Sequence, residues 1–312
     1  MRVLFFGTSE FALPSLEVLL AGHRVVGVVT QPDRPAGRGR RPSTPPVKRL
    51  AELHGLPCLQ PPRLRDPGWV ERLTALDPEI GVVAAYGQIL PPAILAVPPR
   101  GCVNLHASLL PRYRGAAPIQ WAIIRGERET GLTTFVMDEG MDTGPILLQE
   151  RVAIGPEETA GELARRLAAR GATLLLETLD GLAADRLAPV PQPPGPAVMA
   201  PRLSKEDGWI DWGRSAEEIV SLIRGANPWP GAATAVPAGR LLLWRARAFP
   251  GEGEPGSLLP GPEGGLVIAA GQGVVRPVEV QPENRRAMTW EEFLRGARLA
   301  PGVRFGSTVP AR

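Results

Sequence analysis

The feature that most constrains the fold is a regular alternation, in the first half of the chain, between short apolar runs and segments with helical spacing. Val3–Phe6, Val25–Val29 and Ile80–Ala85 are continuous apolar runs. Pro14–Ala21 and Val47–His54 lie between them and repeat apolar residues at helical intervals. Strands that are apolar on both faces and separated by helices are typical of a parallel sheet covered on both sides. The sequence therefore predicts an α/β fold with a doubly wound, mostly parallel sheet.

The same alternation continues to about residue 186. Further helices are predicted over Val70–Leu76 and Pro118–Ile124, and further strands over Gly101–His106, Thr133–Met137 and Ile146–Ile154. Thr159 precedes Glu162 by three residues, which is the spacing of a capping box, and an apolar helical pattern follows. We therefore expect this part of the chain to end in a long helix.

A change of composition after this helix divides the chain. Leu187–Pro201 contains six prolines and no charged residue, which is typical of an extended linker. Beyond it, capping boxes at Ser215 and Thr289 each open a short helix. Short strands are predicted between these helices over Ala232–Val236, Leu241–Ala248, Leu266–Ala269 and Val274–Val280. We therefore predict an α/β domain over 1–186, a linker over 187–204 and a small β-barrel over 205–312.

Several classes of protein are excluded by simple counts. Cys58 and Cys102 are the only cysteines, which gives neither a disulfide framework nor a zinc knuckle. The longest uncharged stretch, Ile80–Pro99, is interrupted by two pairs of prolines and is not read as a membrane helix. The N-terminus lacks the pattern of a secretory signal. We expect a soluble, cytoplasmic protein that acts as a monomer and needs no metal.

Three polar residues form a candidate catalytic set. Asn104 and His106 are two residues apart on one predicted strand, so their side chains share a face. The strand ends there in a polar loop, and open α/β sheets bind ligands at this edge. Asp142 lies in another loop, the turn MDTG. An amide that donates to an oxyanion, an imidazole that accepts a proton near neutral pH and a carboxylate that orients it suit acyl or formyl transfer.

These residues also have plainer interpretations. A single Asn or His in a loop is more often a structural hydrogen-bonding residue than a catalytic one. Cys102 shares the strand face of His106, so a Cys–His nucleophilic pair is an alternative. The middle of a buried strand favours instead a small hydrophobic role for this cysteine. His23, in a helix-to-strand turn, and His54, near a helix C-terminus, fit structural roles.

The charge of the chain is concentrated in one segment. Lys and Arg number 35 against 32 Asp and Glu, a formal charge of +3. Residues 30–49 hold six basic side chains and one aspartate, a charge of +5, so the remainder sums to −2. Glycine and proline between the arginines exclude a helix interior. We therefore predict a mobile basic loop immediately after a strand of the sheet, suited to a polyanionic partner.

The motifs NLHASLLPRYRGAAPIQWA and MDEGMDTGPIL closely resemble those of the 10-formyltetrahydrofolate-dependent formyltransferases. TQPDRPAGRGRR, LSKEDGWIDW and IRGANPWPGA narrow the resemblance to members that formylate methionyl initiator tRNA. The resemblance covers essentially the whole chain. It implies a Rossmann-like catalytic domain, a linker and an OB-like β-barrel that binds tRNA. It also implies a formyl donor, 10-formyltetrahydrofolate, and an acceptor, initiator methionyl-tRNA.

The resemblance also assigns roles to particular residues. By matching motif, the catalytic residues are Asn104, His106 and Asp142. The folate contacts fall on two segments, with the members Ser108, Leu109, Leu110 and Pro111 in one and Gly87, Gln88, Ile89 and Leu90 in the other. The tRNA contacts fall on the basic loop, at Arg34, Arg38, Arg40 and Arg41. Arg38 is expected to read the end of the acceptor stem, and the other three to contact phosphates.

Other functions fit the sequence less completely. Other folate-dependent enzymes share the chemistry of the formyl group. They are formyltransferases that act on glycinamide ribonucleotide or on sugar nucleotides, and a formyltetrahydrofolate hydrolase. The first of these leaves the last hundred or so residues unexplained, and the hydrolase needs no basic loop. An NAD-dependent oxidoreductase is disfavoured because Gly7-Thr8-Ser9 lacks the G-x-G-x-x-G spacing. A non-catalytic RNA-binding protein explains the arginines but not the Asn104, His106 and Asp142 set.

Overall fold

The structure, a computed structural model, describes residues 1–36, 41–195, 197–237, 239–261 and 264–306. The chain divides into two compact units. The N-terminal unit comprises Met1–Pro118, Thr130–Ala153 and Ala164–Pro201. The C-terminal unit comprises Ile119–Glu129, Ile154–Leu163 and Arg202–Arg312. Each unit therefore draws on more than one stretch of sequence.

The N-terminal unit is built on a seven-stranded sheet. Its seven strands are β1 (Arg2–Gly7), β2 (Arg24–Val29), β5 (Cys58–Leu59), β6 (Ile80–Ala84), β7 (Cys102–His106), β8 (Glu129–Val136) and β9 (Ile146–Ala153), while β3 (Arg34–Ala36) and β4 (Arg41–Ser43) lie outside this sheet. The helices are α1 (Leu13–Gly22), α2 (Pro46–Leu53), α3 (Trp69–Thr74) and α4 (Pro92–Leu95). Two more, α5 (Pro118–Ile124) and α6 (Ala160–Ala183), are divided between the two units.

Strand order in this sheet is β5-β2-β1-β6-β7-β8-β9. Strands β5, β2, β1, β6 and β7 pair in parallel, and β8 runs antiparallel to β7. Every residue of β6 is buried, as its continuous apolar sequence requires. The predicted doubly wound, mostly parallel fold is confirmed. Because β6 and β7 are parallel neighbours, the chain leaves both strands at the same edge.

The apolar pattern missed the shortest strands. β5 has two residues, and β3 and β4 have three each, too few to establish a period of two. β3 and β4 pair antiparallel and form their own two-stranded sheet, with Arg34 opposite Ser43 and Ala36 opposite Arg41. The described part of the predicted mobile loop is therefore a short β-ladder, which corrects that prediction for these residues.

The C-terminal unit holds a second, antiparallel sheet. Its strands are β10 (Ala232–Val236), β11 (Gly239–Phe249), β12 (Leu258–Pro260), β13 (Leu266–Ala269), β14 (Val274–Pro282) and β15 (Met288–Thr289), and its helices are α7 (Ala216–Gly225) and α8 (Trp290–Ala297). The strand order is β10-β11-β14-β13-β12, and β15 pairs with β14. This sheet confirms the strand-rich C-terminal region that the turn pattern predicts.

A short segment joins the two edges of this sheet. Gly306 exchanges backbone hydrogen bonds with Ala235 of β10, at 2.9 and 3.0 Å. Three residues earlier, the carbonyl of Val303 accepts from the N–H of Leu258 in β12 at 2.8 Å. Residues 303–306 therefore bond to both edge strands and close the sheet into a small barrel.

The three predicted capping boxes are present. The side chains of Thr159, Ser215 and Thr289 accept from the backbone N–H three residues later, and the glutamate at that position accepts from the cap N–H in return. Each cap satisfies N–H groups that a helix start leaves unpaired, which stabilises the fold by about 1 kcal/mol. Trp212 and Trp290 are buried in the core of the C-terminal unit, whereas Trp229 is 48% exposed.

Candidate active site

Two chain segments meet at the edge where β6 and β7 end. β6 is followed by Gly87–Leu90 and β7 by Ser108–Pro111, and Val83 of β6 pairs with Asn104 of β7. Both segments that the sequence linked to folate therefore lie at the carboxyl edge of two adjacent parallel strands. Asn104 and His106 lie on β7 at this same edge, on one face of the strand.

The imidazole of His106 is buried and held from both sides. Its Nε2 lies 2.9 Å from the carbonyl oxygen of Tyr113. A carbonyl oxygen only accepts, so Nε2 carries a proton in this contact. The other ring nitrogen, Nδ1, lies 3.7 Å from Oδ2 of Asp142. Nδ1 is therefore the nitrogen available to exchange a proton, and a carboxylate faces it.

Asp142 is fixed by backbone contacts. The N–H of Gly115 donates to its Oδ2 at 2.8 Å. Its φ of 54° is left-handed, a conformation that non-glycine residues adopt at an energetic cost. Within the same loop, Asp138 Oδ1 accepts from the Gly140 N–H at 3.1 Å and from Thr143 Oγ1 at 2.6 Å. Both the Asp142 carboxylate and the loop that carries it are therefore hydrogen-bonded.

Asn104 differs from the other two residues because its side chain is not engaged. It is half-buried, and within the described part of the chain its amide makes no hydrogen bond. An amide that the fold does not use can donate its N–H groups to a bound molecule. The structure thus brings His106 and Asp142 into contact and places Asn104 two residues from His106 on the same strand face.

Ser108–Pro111 is supported by two residues that the sequence analysis missed. Thr133 Oγ1 donates to the Ser108 carbonyl at 2.6 Å, and Gln149 Nε2 donates to the Leu110 carbonyl at 3.0 Å. Each lies in a strand that carries other polar residues as well, so no sequence pattern singles out Thr133 or Gln149. The Ser108 hydroxyl is itself fully buried and donates to the Arg112 carbonyl at 2.6 Å. Leu109 and Pro111 are the half-buried members of this segment.

The Gly87–Leu90 segment presents an apolar side chain to solvent. Ile89 is 83% exposed, whereas Leu90 packs in the core. Gly87 has a left-handed φ of 81°, and a Cβ there would collide with the amide of Gln31. That amide donates to the Tyr86 carbonyl at 2.9 Å. The left-handed φ favours glycine at this position, so the turn after β6 depends on Gly87.

The Cys–His alternative does not fit the site. Cys102 is 1% exposed, and burial raises the pKa of its thiol to about 12. A thiol that stays protonated at neutral pH is a poor nucleophile. Cys102 also begins β7, four residues before His106, so it lies about 13 Å away along an extended strand. Cys102 is a small buried residue of the core, as the second interpretation predicts.

The base of the basic segment is anchored by a polar cluster. Asp33 accepts from Lys48 Nζ at 2.8 Å and from Gln60 Nε2 at 2.8 Å. These two hydrogen bonds hold the pKa of the Asp33 carboxyl below its ordinary value. Arg34 is exposed beside this cluster, whereas Arg38 and Arg40 lie outside the described residues, and of Arg41 only the backbone is described.

The described residues contain neither a metal-binding cluster nor a membrane-spanning helix. No group of three or more His, Cys, Asp or Glu side chains there is arranged to hold a metal ion. Among the helices of the same residues, none combines the length and apolar character needed to span a membrane.

Comparison with known proteins decides the family. The profile described as Formyl transferase matches residues 1–179, and that described as Formyl transferase, C-terminal domain, matches residues 202–298. A methionyl-tRNA formyltransferase from Citrifermentans bemidjiense is 47% identical over 307 residues, which cover 98% of this chain and 96% of that protein. The chain belongs to the methionyl-tRNA formyltransferase family.

Further methionyl-tRNA formyltransferases match equally completely. The one from Pelotomaculum thermopropionicum is 48% identical, with 98% of this chain and 99% of that protein covered. Among solved structures, the sugar 3N-formyl transferase WlaRD matches with a TM-score of 0.64 at 16% identity, covering 92% of this chain and 99% of that one. HypX from Aquifex aeolicus, solved with tetrahydrofolic acid, matches with a TM-score of 0.63 at 19% identity, covering 94% and 47%. These two structures share the fold.

Proposed function

We propose that this member of the methionyl-tRNA formyltransferase family transfers the formyl group of 10-formyltetrahydrofolate to the α-amino group of methionyl initiator tRNA. The observation that carries the proposal is the His106–Asp142 contact of 3.7 Å at the carboxyl edge of β7, with the free amide of Asn104 on the same strand. Relatives named methionyl-tRNA formyltransferase align with nearly the whole of this chain and of their own length, which supports the same conclusion.

The assigned residues divide the chemistry between them. The unprotonated α-amine attacks the formyl carbon, a C–N bond forms, and the carbonyl oxygen becomes negative. The Asn104 amide donates to this oxygen. His106 Nδ1 accepts the proton that the amine loses and returns it to N10 of the folate as the bond from the formyl carbon to N10 breaks. Asp142 orients the ring and stabilises its cationic form. No metal takes part in these steps.

Two segments are suited to hold the formyl donor. Gly87, Gln88, Ile89 and Leu90 follow β6, and Ser108, Leu109, Leu110 and Pro111 follow β7. The exposed Ile89 and the half-buried Leu109 and Pro111 supply apolar contacts to a flat pterin, and backbone groups pair with its polar edge. We assign folate binding to these two segments, with Ser108 acting through its backbone.

The basic segment is suited to the acceptor tRNA. Arg34, Arg38, Arg40 and Arg41 carry four positive charges beyond the strand β2, which ends at Val29 in the same parallel sheet. We propose that Arg38 reads the acceptor end and that the other three bind phosphates. Residues 1–186 then carry the chemistry, 187–204 connect, and the barrel within 205–312 holds the rest of the tRNA. The reaction takes place in the cytoplasm, and one chain holds all the assigned residues, so a monomer suffices.

One experiment separates this function from the alternatives. The protein is given 10-formyltetrahydrofolate with charged initiator or elongator methionyl-tRNA, and formyl incorporation into each is measured. We expect incorporation into the initiator and little into the elongator. Release of formate without tRNA would identify a hydrolase, and tRNA binding without incorporation would identify a non-catalytic binding protein. If Asn104→Ala, His106→Ala and Asp142→Ala keep wild-type turnover, these three residues are not catalytic.

A further inference from the structure

Gln192 makes three hydrogen bonds to the loops of the candidate active site. Its Nε2 donates to the carbonyl of Asp142 at 2.8 Å and to the carbonyl of Gly144 at 2.9 Å. Its Oε1 accepts from the guanidinium of Arg114 at 2.6 Å. Every hydrogen-bonding atom of this amide group is therefore used. Two of the three contacts fall on the loop that carries the Asp142 carboxylate.

The segment around Gln192 is fastened to the same unit on both sides. Val190 exchanges backbone hydrogen bonds with Ile146, the first residue of β9, at 2.7 and 2.8 Å. Farther along, Arg114 N–H donates to the Val198 carbonyl at 2.9 Å, and Ala200 N–H donates to the Arg114 carbonyl at 2.7 Å. The described residues Val190, Val198 and Ala200 are thus hydrogen-bonded to this unit, on both sides of Gln192.

Arg114 determines which way the amide of Gln192 points. A guanidinium only donates, so the amide oxygen must face it. The amide nitrogen is then left for the two carbonyls, which only accept. Arg114 also directly precedes Gly115, whose N–H holds the Asp142 carboxylate at 2.8 Å. One short stretch of chain therefore fixes both the carboxylate and, through Gln192, the backbone of the same aspartate.

Asp142 needs such support because its backbone is left-handed, with a φ of 54°. A non-glycine residue keeps this conformation only where the surroundings impose it. The hydrogen bond from Gln192 to the Asp142 carbonyl acts on that very residue. Without it, the Gly115 N–H and the Asp138 hydrogen bonds remain to hold this loop, and we expect the carboxylate to be kept less closely against His106.

Resting on the proposed function, we propose that Gln192 is a positioning residue for formyl transfer. It acts through Asp142: it holds the left-handed backbone of this residue so that the carboxylate faces Nδ1 of His106. The sequence region that reads as a connecting linker thereby supplies part of the support of the catalytic site.

The test compares two Gln192 variants with a control from the same segment. Gln192→Ala removes all three hydrogen bonds. Gln192→Glu keeps the size and the contact with Arg114 but cannot donate to the carbonyls of Asp142 and Gly144. Val190→Ala alters an exposed side chain and leaves the backbone bonds to Ile146 in place. For each variant, kcat, KM for both substrates and the midpoint of thermal unfolding are measured.

We expect kcat to fall about 10- to 100-fold in both Gln192 variants, with both KM values unchanged, because the carboxylate is displaced and not the substrates. Val190→Ala should match the wild type. Wild-type kcat in Gln192→Glu would mean that the residue only fills space and would overturn the proposal. A raised KM for tRNA with unchanged kcat would also overturn it.

A double-mutant cycle gives a second readout that a purely structural role would not move. In an Asp142→Ala background, Gln192→Ala should lower kcat by less than about twofold further, because both changes remove the same function. If the fold-losses in kcat of the two single variants multiply in the double variant, Gln192 does not act through Asp142. If the wild-type protein itself transfers no formyl group, the proposed function is refuted. That outcome is distinguishable from failure of the Gln192 proposal, in which the wild type is active and the variants behave like it.

Discussion

The backbone N–H of Gly115 donates to the carboxylate of Asp142 at 2.8 Å, across 27 residues of sequence. Gly115 itself has a φ of 121°, in the region that favours glycine. A Cβ at this position would lie 2.6 Å from the carbonyl oxygen of Ala200 and 3.1 Å from its carbonyl carbon. The hydrogen bond to the proposed catalytic residue Asp142 thus depends on a residue that has no space for a side chain.

Gly115→Ala should therefore damage catalysis. The new methyl group pushes against Ala200 and displaces the N–H that holds the carboxylate, and we expect kcat to fall about 10- to 100-fold. Strain at the left-handed position should also cost about 1–3 kcal/mol of stability. Gly55→Ala is a matched control, since Gly55 has a φ of 64° and nothing lies within 4 Å of the position that its methyl group would take. Equal kcat values for the two variants would contradict the expected role of Gly115.

Asn104→Ala should lower kcat by about 10²- to 10³-fold, because it removes a donor to the developing oxyanion. The described fold makes no use of the amide of this residue, so the midpoint of thermal unfolding should stay near that of the wild type. Kinetics and thermal unfolding measured on the same preparation check both parts. A loss of activity that merely tracks a loss of stability would argue against a catalytic role.

Cys102→Ala should leave kcat within about twofold of the wild type. Its thiol is buried and protonated at neutral pH, so it takes no part in the reaction. Removing the sulfur atom from the core should still lower the free energy of unfolding by about 1 kcal/mol. Formyl transfer and chemical denaturation of the variant give the two quantities. A large drop in kcat would revive the Cys–His alternative.

Acid should weaken the C-terminal unit through Glu162. The Thr159 backbone N–H, followed by Arg245 at 2.5 Å, lowers the pKa of Glu162 from an ordinary 4.5 to about 2. A lowered pKa means that its stabilisation is present above pH 4.5 and is lost as the pH falls toward 2. The side chain is 34% exposed, so after allowance for solvent screening we expect a contribution of about 1 kcal/mol.

Glu162→Gln isolates this contribution. The difference in unfolding free energy between wild type and variant should shrink between about pH 4.5 and pH 2. Tryptophan fluorescence is a suitable probe because six of the seven tryptophans lie in the C-terminal unit. A difference that stays constant across this range would contradict the assigned cause.

Binding of tRNA should weaken with salt in proportion to the phosphates neutralised. Replacing the four arginines of the basic segment by alanine should reduce the slope of log K against log salt by about 3. Arg38→Ala alone should raise the KM for initiator tRNA and leave the KM for folate unchanged. Filter binding over a salt series and steady-state kinetics measure these effects. Equal loss of affinity for both substrates would refute a dedicated tRNA role for the segment.

The sequence predicts a strand only where its apolar pattern extends over enough residues to be recognised. β6 is predicted because five consecutive apolar residues require burial on both faces. β5 and β12, with two and three residues, carry no readable period. Asn104, His106 and Asp142 are predicted as a set from residue chemistry and motif, and the structure brings His106 and Asp142 into contact.

The role of Gln192 lies beyond such reasoning for a different reason. Its partners Asp142 and Arg114 lie 50 and 78 residues away in sequence. Prolines and the absence of charge indicate only that residues 187–201 are extended. Whether an extended segment is free or bonded along a surface depends on tertiary contacts that leave no local pattern.

The short segment that closes the barrel affects the order in which the C-terminal unit folds. Thr234 Oγ1 donates to the Gly306 carbonyl from a residue 72 positions away in sequence. Ordering a loop of that length is entropically costly, so this seam forms late. Until it does, β12 and the part of β10 that Ile210 does not bond expose unpaired backbone groups to neighbouring chains, a route to aggregation. The Ala235 N–H, which donates to Gly306, should be among the last in the barrel to gain hydrogen-exchange protection during refolding.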